Sequence, residues 1–417
     1  MIDYPRTTFK AMTTSLNLLQ CLRVATLALA SSAASAVPFV PANDATVLER
    51  LASKPGVPGE PNRAGAADRS SRAMRNALKL DPKNADLAAR IALVYVSRAR
   101  TESDPRYFGQ AQSALAAWWT QDAPPIPILL LRATIRQSTH DFRNARRDLD
   151  QVAQREPGNA QAWLTMATVQ QVTGDLKGAT DSCRKVAPLS PPLIGITCMA
   201  GIDAAEGRAE LAYDALNNAL LRSAAAGRDS VGVRTWAITL QAEIAERISR
   251  VADAERLYQA SLALDSTDAY ALAAYADFLI DAGRVNDVLA LIPATTRADV
   301  LLLRRAIAAK LAGSSDAAAV AKDLGERFAA SKARGDRVHL REEARFALAI
   351  KSAPDEALAL ALENWRVQKE PLDARIALET AIAAQQPSAV ADVLRFVEAT
   401  RLQGDTLSRL VAQVKAK

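Results

Sequence analysis

Side chains able to do covalent or acid–base chemistry are sparse in this sequence. A nucleophile needs a base within hydrogen-bond reach, most often a histidine, and the chain holds two, His140 and His339, in unrelated stretches. His140 falls where a turn is expected and reads as a solvated turn residue. No H-E-x-x-H, C-x-x-C, G-x-x-x-x-G-K-[ST] or G-x-S-x-G string occurs, so the common zinc, redox, nucleotide and hydrolase signatures are absent. Two carboxylate pairs, Glu243 with Glu246 and Glu342 with Glu343, have the type needed for acid–base work on a sugar. Such a site also needs aromatic platforms, and aromatics make up only 5% of the chain. The expectation is a protein that is not an enzyme, with no catalytic residue, no metal and no cofactor. A helical enzyme acting on glycans stays open as an alternative, to be favoured if a cleft gathers several of Trp118, Trp119, Trp236 and acidic residues.

The elements that would carry these residues are helices. Hydrophobic residues make up 49% of the 417 positions, supplied mainly by Ala and Leu, which lose little on entering a helix. The formal charge is +6, part of it in a segment expected to be removed: Arg6, Lys10 and Arg23 are offset there by Asp3, so the remainder carries about +4. No block of five or six like charges occurs. Nucleic acid is therefore not an expected partner.

The N-terminus has basic residues, an apolar run from Leu22 to Ala30, and Ala34-Ser35-Ala36 before Val37-Pro38. This is the pattern of a secretory signal over 1–36, cleaved after Ala36, for a protein exported to the periplasm or the extracellular space. Met1 and Met12 are both compatible as starts. Leu18-Leu19-Gln20-Cys21 puts Gln where a lipobox needs a small residue, so no lipid anchor is expected. No later stretch offers the roughly 18 apolar residues a membrane span requires. Residues 37–68, rich in Pro and Gly, read as a linker with one possible short helix from Asp44 to Ala52.

Beyond this linker the sequence repeats. Leu129, Arg132, Ala133, Arg136, Ala145, Leu149, Val152 and Pro157 align with Trp163, Met166, Ala167, Gln170, Ala179, Cys183, Val186 and Pro191, every pair 34 positions apart. With two seven-residue length changes, small residues recur at Ala92, Ala133, Ala167, Gly201, Ala242 and Ala276, and at Ala111, Ala145, Ala179, Ala212 and Ala254. Antiparallel helices that approach closely need small residues at the crossing. Leu115, Leu149, Cys183, Leu216 and Tyr258, four positions later, would fill the space against the next pair. Asn84, Asn159 and Asp268 stand where helices need N-caps, and Gly174, Gly207 and Gly283 where a pair turns back.

The period, with the order W-x₂-L-G-x₂-Y, A-x₃-F and P, resembles the tetratricopeptide (TPR) repeat, Trp163 being the copy that keeps the leading Trp. The resemblance covers a little over half of the chain. It implies an all-α, right-handed α-solenoid of helix-turn-helix hairpins: an array over 69–292 and degenerate helical repeats over 293–417 that cap it. Helices are expected after Pro293 at 298–311, 316–333, 339–351, 354–368, 371–384 and 387–400.

In TPR proteins the ligand lies on the concave face formed by the first helices. Carried over, that face comprises Leu130, Thr134, Gln137, Leu164, Thr168, Gln171, Trp236, Thr239, Glu243, Glu246, Tyr270 and Asp277, with Ala273 between the last two. The basic and Asn residues of the carboxylate-clamp subgroup are missing from these positions. The groove is thus neutral and partly apolar, turning acidic in the later repeats, and suits a helix or an extended peptide. The implied function is an exported scaffold for a protein or peptide of unknown identity. Alternatives are that these residues are unoccupied surface, or that the chain is a structural subunit of an envelope complex. Oligomeric state is open.

Two local features remain. Adjacent Trp118 and Trp119 point in different directions on a helix and are expected to form a local core patch. Cys183 and Cys198 flank the turn at Pro191 on antiparallel neighbours at similar height, so a disulfide is expected if both side chains face the seam. Two separate buried thiols are the alternative.

Overall fold

The computed structural model describes residues 63–336 and 338–416. The expected signal 1–36, its cleavage at Ala36, Cys21 and the short helix from Asp44 to Ala52 lie outside the described residues.

Helix α1 (Arg63–Leu80) starts inside the stretch 37–68 expected to be a linker. Six hairpins follow: α2 (Ala85–Thr101) with α3 (Arg106–Ala114), α4 (Ile126–Ser138) with α5 (Phe142–Arg155), α6 (Ala160–Val172) with α7 (Leu176–Val186), α8 (Pro192–Ala205) with α9 (Ala209–Ala226), α10 (Val231–Arg247) with α11 (Val251–Leu264), and α12 (Ala269–Asp281) with α13 (Val285–Leu291). Among the described residues there is no strand.

Each expected device is present. Asn84, Asn159 and Asp268 accept hydrogen bonds from the backbone N–H groups of Leu87, Ala162 and Ala271, satisfying donors that a helix start leaves free. The small residues Ala92, Ala133, Ala242 and Ala276, and Ala111, Ala145, Ala179, Ala212 and Ala254, are fully buried at the crossings, as are Leu115, Leu149, Cys183 and Leu216 beside them. Trp163 donates from its indole nitrogen to the Pro157 carbonyl at 2.8 Å, tying α6 to the turn before it. Gly174, Gly207 and Gly283 turn with φ of +85°, +75° and +72°, and at the equivalent turns His140 and Ser249 accept φ of +60° and +61°.

Pro293 ends the regular array, with Ile292 pushed to extended backbone as the residue before a proline. Beyond it lie α14 (Asp299–Ala312), α15 (Ala317–Ala333), α16 (Leu340–Ala349), α17 (Pro354–Val367), α18 (Pro371–Ala383), a 3-10 turn (Pro387–Val390) leading into α19 (Ala391–Thr400), and α20 (Asp405–Lys415), the last of which the sequence did not reveal. These helices still pair as hairpins, but they do more than cap an end. The Lys369 N–H donates to the Val172 carbonyl at 2.8 Å, and the Ala209 N–H donates to the Gln403 side chain at 3.0 Å. Ser249 pairs with Asp405, and Arg375 with Asp281. Residues 367–405 thus lie across the turns inside the second to sixth hairpins. The turn glycines permit the approach: a Cβ on Gly207 would stand 2.7 Å from the Arg401 carbonyl oxygen, and one on Gly174 would stand 2.9 Å from the Lys369 side chain.

Candidate functional site

The first helices α2, α4, α6, α8, α10, α12, α14, α16 and α18 touch one another in sequence, while the second helices stand apart. A solenoid packed in this way is concave on its first-helix side. The expected groove residues fall on that inner layer, but the C-terminal helices divide them into two groups.

The first group is largely closed. Leu130 packs with Val367 of α17 against the cluster of Leu129, Ala133 and Met166. Thr134 turns its hydroxyl back to the Leu130 carbonyl at 2.8 Å, and Gln137 on the next turn is half-buried. Gln171 lies in a crevice with Lys369, Glu370, Pro371 and Phe396, where the C-terminal stretch meets α6. Leu164 packs inward beside Cys198 and Ile202, and Thr168 alone of this group is exposed. His140 is half-buried instead of solvated. It stacks on Phe142 with 5.4 Å between ring centroids and lies 3.5 Å from the Gln368 amide. Burial, with the Arg341 guanidinium nearby, pulls its pKa down to about 4, so the ring is neutral at ordinary pH.

The second group is mixed. Trp236 and Tyr270 are exposed. Glu243 accepts a 2.7 Å hydrogen bond from the Tyr270 hydroxyl, and Glu246 accepts one of 3.0 Å from the Tyr258 hydroxyl. Burial pushes both carboxyls up, Glu246 to about 7, with Asp281 and Glu243 adding to the effect on Glu246 and the Tyr258 hydroxyl opposing it. Two residues do not fit the expected role. Thr239 is buried, and its hydroxyl is shared with Ser261 of α11 at 2.7 Å, because its position on α10 faces the second helix of the hairpin. Asp277 is gripped by Arg304 of α14 and Arg345 of α16, each at 2.8 Å. Burial alone would raise its pKa, but the two guanidiniums outweigh that and hold it at about 2. It therefore serves the fold.

The long-range partners Arg304, Arg345, Arg375 and Gln403 were not singled out by sequence reasoning, and no local signal marks them. Arg132 was visible only as a repeat position. It is buried, pairs with Asp148 through two hydrogen bonds of 2.8 and 2.7 Å, and donates to the Trp118, Trp119 and Gln121 carbonyls. This anchors the irregular Trp118–Trp119 segment, with Trp118 buried and Arg136 over the Trp119 ring at 5.1 Å. Cys183 and Cys198 are joined by a disulfide across the seam of α7 and α8, with Cα atoms 5.7 Å apart.

Among the described residues no group of His, Cys, Asp and Glu is arranged to hold a metal ion, and no helix is long and apolar enough to cross a membrane. Paired helices, a 34-residue period and a concave layer of first helices define the class: an α-solenoid of tetratricopeptide-type hairpins. No family model matches the chain, and no curated protein matches it. Among solved structures the chain is similar to one in the APC/C hetero-tetramer Cut9–Hcn1, at 13% identity and a TM-score of 0.43, over 84% of this chain. It is similar to yeast Tom70 at 11% identity and a TM-score of 0.37, over 85% of each chain. A tetratricopeptide repeat protein from Parabacteroides merdae, at 13% identity and a TM-score of 0.37, matches 58% of this chain and 98% of its own. The chain spans 59% of the length of the first of these.

Proposed function

We propose that this chain is an exported interaction scaffold, not an enzyme, which holds a peptide or short helix of an envelope or secreted partner in the open half of its groove. The observation that carries the reading is that Trp236 and Tyr270 stay 37% and 64% exposed on the inner layer, where the earlier groove positions are largely closed by the chain itself. Exposed aromatics on a concave surface are the side chains that most often anchor a partner. Export rests on the Ala34-Ser35-Ala36 pattern and the apolar run before it.

A photo-crosslinking residue at Tyr270 tests the first part in intact cells, with exposed Lys322 on α15 as control. Crosslinks to a protein from position 270 and none from position 322 are expected. Equal products from both positions, or none from 270, would sink the reading. N-terminal sequencing tests export: a start near Val37 is expected, and an intact Met1 or Met12, or a lipidated Cys21, would refute it.

A further inference from the structure

The open half of the groove holds two features that the packing engages only in part, a pair of exposed aromatic rings and a pair of carboxylates that accept tyrosine hydroxyls but form no ion pair. Trp236 and Tyr270 stand one 34-residue period apart, at the same register of α10 and α12. Leu164, earlier in the same layer, is packed away, yet these two rings are left to solvent. About two helical turns beyond Trp236 on the same face comes Glu243, and nearly three turns beyond it comes Glu246. Both are half-buried, each accepts a tyrosine hydroxyl, and neither has an ion pair among the described residues. The acids around them are all paired: Asp277 with Arg304 and Arg345, Asp281 with Arg375, and Glu370 with Arg341. Arg247 and Arg341 act on Glu243 through space, and Arg375 on Glu246, but none is ion-paired with them; carboxylates withdrawn from water without a direct ion pair are costly. A positive group entering beside them from a partner would recover that cost.

We propose that the inner face of α10 and α12 receives a Lys or Arg side chain of the partner peptide, its charge met by Glu243 and Glu246 and its stem or guanidinium laid against Tyr270, while Trp236 covers the adjoining stretch of the peptide. This rests on the scaffold reading above and names the chemistry of its ligand. The chemistry is complementary on both counts. Aromatic faces attract cations and cover the apolar stem of a long basic side chain, and two carboxylates can accept a guanidinium through several hydrogen bonds. It also brings a pH signature. Glu243 faces Tyr270, Arg247, Glu370 and Arg341, and Glu246 faces Tyr258, Asp281, Glu243 and Arg375. Of these, Glu246 is the group poised near neutrality, at about 7. A bound cation favours its charged form, so binding expels a proton and tightens as pH rises from 6 to 8, by up to about tenfold.

The test uses the full chain and a random linear peptide library displayed on phage, followed by synthetic copies of the retained peptides. Retained peptides should be rich in Lys or Arg. They should lose about tenfold or more in affinity against the E243Q/E246Q double variant and against Trp236→Ala, with helicity by circular dichroism unchanged. Asp181→Asn, an exposed acid on the outer helix α7, should leave affinity unaltered, which separates a specific seat from general attraction. Peptides without basic residues that bind the double variant as well as wild type would overturn the cation seat. If those peptides still lose affinity with Trp236→Ala, the groove reading stands without it. A library that yields no peptide at all overturns both.

Discussion

Gly207 and Gly283 occupy equivalent turns with nearly equal φ, +75° and +72°, yet they differ in what stands beside them. A Cβ on Gly283 meets nothing within 4 Å, whereas one on Gly207 meets the Arg401 carbonyl at 2.7 Å. Gly283→Ala should therefore cost only the strain of the left-handed turn, about 1 kcal/mol. Gly207→Ala should cost about 2 kcal/mol or more, because backbone must also move. Thermal denaturation of both variants checks this, and equal costs would mean that the 401 region does not press on the turn. Two carboxyls with opposite shifts set the pH dependence. Asp277, at about 2 in the folded chain against an unfolded value near 4, contributes stability that is present above pH 4 and lost as pH falls towards 2, about 2 kcal/mol in size. Glu246, at about 7, works the other way. Its folded form binds the proton more tightly than the unfolded chain does, so stability declines between about pH 4.5 and 7. Partly solvated, it contributes about 2 kcal/mol. Glu246→Gln should flatten that decline in urea titrations at pH 5 and 7, and an unchanged slope would assign it to another group.

At the scale of the element, the pattern of small residues was enough to locate the hairpins, since Ala133, Ala145 and their copies act through contacts within one pair of helices. The later helices were equally readable from Pro354, Pro371 and the acids near their starts, because initiation is local. α20 was missed: it begins after Gly404 with no side-chain cap, and its apolar residues Leu407, Leu410 and Val414 take their meaning from packing against α18 and the cluster around it. The link between α7 and α8 is the element-scale feature most open to test. Its two cysteines close a loop with a sequence separation of 15, which in the chain-entropy model stabilises the fold by about 3 kcal/mol. Thiol titration of the unfolded, unreduced protein should find Cys183 and Cys198 unreactive, and dithiothreitol should lower the melting temperature. Both thiols reacting freely would refute the bond.

For the molecule as a whole, a groove along the first helices was legible, but which half of it stays open was not. Closure depends on pairs such as Val172 with Lys369, Ala209 with Gln403 and Asp281 with Arg375, whose members lie far apart in the chain and carry no shared pattern. The same pairs alter how the chain should come apart. A repeat array whose units touch only their neighbours frays from its ends and melts in stages. Here the last helices are fastened to turns in the second to sixth hairpins, so neither region can loosen without cost to the other. Denaturant unfolding followed separately by circular dichroism and by tryptophan fluorescence should give coincident transitions, and separated midpoints would argue against the coupling. Folding carries the matching burden. Contacts of such long sequence separation form late and slowly, and during synthesis the early hairpins must wait with their inner face uncovered until residues 367–405 have been made.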